Sequence, residues 1–220
     1  MHEPSAGASP EASEQPPEMN RREQNKALTR QAIADAALDL LRTGGADALT
    51  AERVAEAAGV SRRTFFNYFP TLESALNVPM EDFLNDALAH MARLPAGVPV
   101  ADAALRAMRE SVDDEALRPV AELFLLSIDN PQLERLQLSS WNDCAERVLS
   151  IMREVSDAPE LITAAFSHAL LGTGRAAFLY WRSALNGDLS PASLAELKQC
   201  ITEALGQLRD GFPAFVHAPR

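Results

Sequence analysis

From Arg21 onward apolar residues recur at helical spacing. Ile33, Ala36, Ala37, Leu40 and Leu41 follow an i, i+3, i+4, i+7, i+8 pattern, which predicts a first helix with one apolar face. Gly44-Gly45 ends it. Thr50 and Ser61 then each stand as an N-cap before a short helical run, 51–57 and 62–68, with Gly59 between the runs. Helices this short are marginal alone. They must share a core with the first helix, and Leu49, Val54, Ala58, Val60, Phe65 and Phe69 supply it. Pro70-Thr71 turns the chain into a longer helix near 72–92, which 95–99 breaks. Five further helical patterns follow, near 100–111, 115–128, 131–155, 158–186 and 191–210, and no stretch alternates like a strand. Asn130-Pro131 and Ser190-Pro191 pair a cap with a proline in the first turn. Asp157 with Glu160 has the form of a capping box, and Asn186-Gly187 that of a stop. The fold class is all-α, with an N-terminal three-helix helix-turn-helix domain over 21–71 and a helical domain over 72–210. The Pro- and Glu-rich stretch 1–20 is expected to be disordered, and 211–220 to be a frayed tail.

Composition agrees with this reading, since 47% of residues are hydrophobic but only 6% are aromatic. A net charge of −11 argues against a DNA partner until it is divided along the chain. Residues 1–20 hold four acids and no Lys or Arg; 21–72 hold eight bases and six acids, a net +2; the rest carries −9. The helix-turn-helix segment is thus the net-positive part, and an acidic body would confine nucleic-acid contact to it. No basic-then-apolar leader opens the chain and no apolar run is long enough to span a bilayer, so a cytoplasmic location without membrane partners is expected. Cys144 and Cys200 are expected as thiols rather than a disulfide. His2, His90, His168 and His217 are scattered, without metal-ligand spacing, and there is no phosphate-cradling glycine loop or nucleophile elbow. Neither catalysis, a cofactor nor a metal is expected.

On the run 62–68, Phe65, with Val60 and Phe69 beside the run, points inward, leaving Arg62, Arg63, Thr64, Asn67 and Tyr68 outward. Arg bonds guanine bidentately, Asn does so with adenine, and Thr meets a thymine methyl. Upstream, Arg21, Arg22, Lys26 and Arg30 form a basic lead-in suited to phosphates.

The stretch from Thr29-Arg30 to Leu76, with LTAERVAEAAGVSRRTFFNYFPTLESAL at its end, resembles the DNA-binding domain of the tetracycline-repressor (TetR/AcrR) family. The resemblance covers about a quarter of the chain. It implies base and phosphate contacts from Arg62, Arg63, Thr64, Asn67 and Tyr68, and a phosphate contact beside the Thr50 cap. Two positions depart from the family pattern: Leu72 stands where a lysine is usual, and Phe66 where tyrosine is frequent.

The resemblance also implies pairing through the last two long helices. Ile162, Ala165, Ala169, Gly172, Ala176 and Leu179 form a stripe of mostly small residues that permits close helix approach. Leu194, Leu197, Ile201, Ala204 or Leu205, and Leu208 form a second seam. Either stripe would equally serve packing within one subunit; the family points to a homodimer. A small effector is implied between the middle helices. Phe124, Trp141, Phe166 and Phe178 are candidates to line its site, as well as Phe83, Met108 and Tyr180, though each also suits plain core. His168 and Arg175, seven positions apart, would offer a base or cation to an acidic group. SRRTFFNYFP is similar to a branch linked with acyl-CoA-like ligands, so an acyl or other lipophilic anion is the expected effector. The expected function is a repressor released from operator DNA by that effector; a ligand-independent or activating regulator is the alternative.

Overall fold

A computed structural model describes residues 21–93, 95, 97–110, 114–128 and 130–213. The expected disordered stretch 1–20 and the tail beyond 213 lie outside them. Among the described residues the regular elements are all helical. α1 spans Arg21–Ala48, broken at Gly45, whose φ of 68° ends the regular helix where the glycine pair predicts. α2 (Ala51–Ala57) and α3 (Arg62–Tyr68) follow, capped by Thr50 and Ser61, whose side chains accept the backbone N–H groups of Arg53 and Thr64. Gly59, at φ 68°, makes the turn between them.

The helix expected over 72–92 is two: α4 (Leu72–Leu76) and α5 (Val78–Met91). Pro79 is the reason, because it lacks an N–H and its ring clashes with the carbonyl four residues back. α6 spans Val100–Glu110. The next expected helix starts as a 3-10 turn at Asp114–Leu117 and becomes α-helical only at α7 (Arg118–Ser127), with Pro119 in its first turn. α8 (Pro131–Val155) is capped by Asn130, which accepts from both Gln132 and Leu133 at 3.1 Å. α9 (Glu160–Ala184) lacks the expected capping box: Pro159 is its N-cap, and Glu160 turns back to pair with Arg153. α10 runs Pro191–Asp210 under a Ser190 cap. The stop at Asn186-Gly187 forms as expected, with Asn186 at φ 53°. A Cβ on Gly187 would lie 2.1 Å from the Trp181 ring, so the turn requires glycine.

Two apolar cores organise these helices. The head core joins Ile33, Ala37 and Leu41 of α1 to Val54, Phe65, Phe69, Leu76 and Val78, and reaches Leu123 of α7 and Leu133 of α8. It therefore runs past residue 71 and takes in α4. The body core is built on Trp181, Phe178, Leu194, Leu197 and Leu117, with α9 packed between α8 and α10. Ion pairs from two arginines also tie head to body. Arg42 of α1 makes a forked contact with the buried carboxylate of Glu122 on α7, Nη2 to Oε2 at 2.7 Å, and the Glu122 hydrogen bond holds the guanidinium pKa above its ordinary range. Arg30 pairs with Glu81 on α5.

Candidate DNA-binding head and effector cavity

α3 is too short to stand alone and is held by its inward residues, Phe65 fully buried and Phe69 nearly so. That leaves Arg62, Arg63 and Asn67 exposed on the outer face, while Thr64 and Tyr68 are half-buried. Phe66 also faces out, 45% exposed, edge-on to Phe65 at 5.2 Å. Arg62 lies over the Phe66 ring and pairs with Glu52 of α2 at 2.9 Å, a partner that spacing alone did not reveal. The Thr64 hydroxyl is engaged by Ser61 at 2.8 Å. Thr50 is exposed at the start of α2.

Arg21, Arg22 and Lys26 lie exposed on the first turns of α1. Arg30 does not belong with them. Its guanidinium sits 5.4 Å from the centre of the Phe69 ring and binds Glu81, so it is a brace between the end of α3 and α5. Leu72, in the place of the usual lysine, is half-buried against the head core, where its side chain packs.

In the body, α5, α6, α8, α9 and α10 line an apolar, partly open cavity of about 100 Å³. Phe83, Leu84, Ala87, Trp141, Leu171 and Phe178 are among its walls, and Met80, Met91, Met108 and Met152 line it together. Every methionine among the described residues is there. Of the effector residues expected from sequence, Phe83, Met108, Trp141 and Phe178 reach this space, and Phe124, Phe166, His168, Arg175 and Tyr180 do not. The residues of α9 that face inward are Thr163, Ser167, Leu170, Gly174, Phe178 and Trp181, at helical spacing. Position 168 is rotated about 100° from 167. His168 is accordingly half-exposed and faces Glu146 at 3.7 Å. Phe166 is half-buried away from the cavity wall. Phe124 and Arg175 line a separate groove of about 310 Å³ with Glu134 and Arg182, its wall part apolar and part charged, and Trp141 is the wall shared with the cavity.

The expected pairing residues also divide. Ile162, Gly172 and Ala176 are exposed along α9 and Ala169 is half-buried, flanked by the exposed Leu161, Leu179 and Tyr180. Ile162 is 57% exposed and Leu161 77%. A Cβ at Gly172 would meet nothing within 4 Å, so packing inside this chain does not demand glycine there. On α10, however, Leu197 is fully buried and Ile201 is 3% exposed, both inside the body core. One apolar face of α10 cannot serve two partners, and the chain's own core takes it. Leu208 remains half-buried near the helix end.

Cys144 and Cys200 are both thiols. Burial pushes Cys144 up to about 11. Among the described residues no group of three or more His, Cys, Asp or Glu is placed to hold a metal, and no helix is long and apolar enough to cross a membrane.

Residues 33–74 match the family model described as bacterial regulatory proteins, tetR family. No curated protein matches the chain. Among solved structures, the chain is similar to Thermus thermophilus FadR, a TetR-family transcriptional repressor in complex with lauroyl-CoA. Identity is 20%, 87% of this chain and 98% of that one are covered, and the TM-score is 0.49. It is similar to a transcriptional regulator from Rhodococcus sp. Rha1, at 18% identity, 83% and 96% coverage and a TM-score of 0.44. A third is the multidrug binding protein EbrR complexed with imidazole, at 19% identity, 87% and 96% coverage and a TM-score of 0.46. The matched segment spans the buried face of α1, both capped short helices and the turn at Gly59, and over these residues the chain is similar to the tetR family of bacterial regulatory proteins.

Proposed function

We propose that the protein is a dimeric operator-binding repressor that lets go of DNA when a small lipophilic molecule occupies the apolar cavity. The observation that carries this reading is a physical connection. α5 supplies Met80, Phe83, Leu84, Ala87, Leu88 and Met91 to the cavity wall, and the same helix holds Glu81, which binds Arg30 over Phe69 at the end of α3. A ligand that displaces α5 therefore acts on the brace behind the recognition helix. For this to regulate, the ligand must favour the arrangement that does not fit the operator. A shift from nearly all bound to nearly all free needs about 5.5 kcal/mol of differential affinity, shared between two sites per dimer.

On DNA, Arg62, Arg63 and Asn67 read base edges with Thr64 and Tyr68 beside them, while Arg21, Arg22, Lys26 and the Thr50 end of α2 meet phosphates. The α9 stripe Ile162, Ala169, Gly172 and Ala176 forms the dimer contact, with Leu208 at its margin. The working division is a head through α4 and an effector and dimerisation body from α5 onward. The expected anionic effector loses its recognition partner inside the cavity, because Arg175 and His168 lie elsewhere. The test is to recover an operator by genomic footprinting and titrate the bound complex with lipophiles. Release by a ligand that calorimetry places in the cavity supports the reading. Unchanged operator affinity with the cavity saturated ends it.

A further inference from the structure

Resting on the reading of the cavity as the effector site, we infer that its ligand is an uncharged lipophile carrying one hydrogen-bond acceptor, and that Trp141 Nε1–H donates to that acceptor. The lining is unusual for what it lacks. No ionisable or hydroxyl side chain stands among the described residues that form it, and the indole N–H of Trp141 is the one conventional side-chain donor. A carboxylate or ammonium entering this space would lose its hydration with nothing to replace it.

Trp141 is more than nine-tenths buried, and its Nε1, which has no hydrogen-bond partner among the described residues, is itself covered, so an acceptor in the cavity reaches it only as the walls give. The contrast with Trp181 in the same core is direct. That indole donates to the Ser193 carbonyl at 2.9 Å and lies 3.0 Å from the Ser193 hydroxyl. A buried donor left unmet is costly, and a bound acceptor removes that cost.

Size points the same way. A dry cavity of about 150 Å³ takes benzene, so a space of about 100 Å³ admits a single ring only as the walls give, and a long chain less readily. The four methionines are unbranched and adapt their rotamers, which lets the walls enlarge for a single ring with a short substituent. The rival site for an anion is the neighbouring groove, where Arg175 and Arg182 lie across Trp141 from the cavity.

The experiment is calorimetry on the full-length wild-type protein with three probes matched in shape: ethylbenzene, acetophenone and phenylacetate. Ethylbenzene and acetophenone should bind once per subunit, with phenylacetate at least a hundredfold weaker. Trp141→Phe should weaken acetophenone about threefold to tenfold and leave ethylbenzene within twofold. Ala87→Phe, which puts a ring into the cavity, should abolish both. The inference is overturned if phenylacetate binds as well as acetophenone, if neither neutral probe binds the wild type, or if Trp141→Phe affects both neutral probes alike. The ranking on the wild type and the Ala87→Phe result stand even where Trp141→Phe fails to fold. Titrating the same probes against operator complex separates the two readings. Cavity binding without operator release defeats the effector role and leaves the ligand class. Release by anions alone, lost in Arg175→Leu, defeats the ligand class and leaves the effector role.

Discussion

Arg62, proposed to read a base edge, is already engaged, paired with Glu52 across the α2–α3 turn while both side chains stay well exposed. Exposed pairs of this kind are worth about 0–1 kcal/mol, so a phosphate or guanine can displace the acid. Glu52→Gln should therefore strengthen binding to any duplex by a few-fold and steepen its salt dependence, measured by anisotropy titration over a salt series. Arg63→Ala or Asn67→Ala should instead cost about 1–3 kcal/mol at the operator and relax preference at one base pair. Arg21→Ala with Lys26→Ala should weaken all sequences evenly. If the two sets of variants behaved alike on scrambled DNA, the division between reading and anchoring residues would be wrong. The outward positions were legible because a seven-residue helix with Phe65 buried within it and Phe69 buried at its cap leaves few others. What sequence hid was pairing at a distance: Arg30 reads as one more base, yet Glu81, 51 positions on, and the Phe69 ring hold it.

Helix starts were legible where a side chain next to the helix does the capping, as at Thr50, Ser61, Asn130 and Ser190. The errors fall on prolines and on competition. Pro79 divides α4 from α5, and Asp157 loses the α9 start because Glu160, its expected box partner, bonds Arg153 instead. Periodicity also reports an apolar face without naming what covers it, so α10's seam was assigned to a second subunit when the body core claims it. The kink has a functional place, since it lets α4 stay with the head core while α5 walls the cavity. Glu81→Gln loosens the Arg30 brace between the head and α5. Ligand affinity should hold, while the ligand-driven loss of operator affinity should shrink by about 0.5–2 kcal/mol. An unaltered response in paired titrations would remove Arg30–Glu81 from the path.

At the scale of the whole molecule, charge and assembly decide how the head is used. The head carries the positive balance and the rest of the chain is acidic, a division that would direct the proposed DNA partner to one end. In the proposed dimer, the exposed α9 stripe sets the relation of two heads. Gly172→Glu places a charge where one protomer alone has open space, so the fold should persist. In a closed dimer interface an uncompensated charge costs about 3–5 kcal/mol, and sedimentation should show monomer with operator binding lost. Ile201→Asp would not test this, because its side chain lies in the protomer's own core. A dimer whose Gly172→Glu form still sediments at twice the subunit mass would move the interface off α9.

The most direct test of the account is a hydroxyl-radical footprint of the wild-type protein on its highest-affinity genomic site. Two copies of α3 held by one dimer should protect two symmetric half-sites on one face of the duplex. Their centres should lie one helical turn, about 34–36 Å, or a whole multiple apart, and both protections should fade together in Gly172→Glu. A single unsymmetric patch, or half-sites that Gly172→Glu leaves intact, would contradict it.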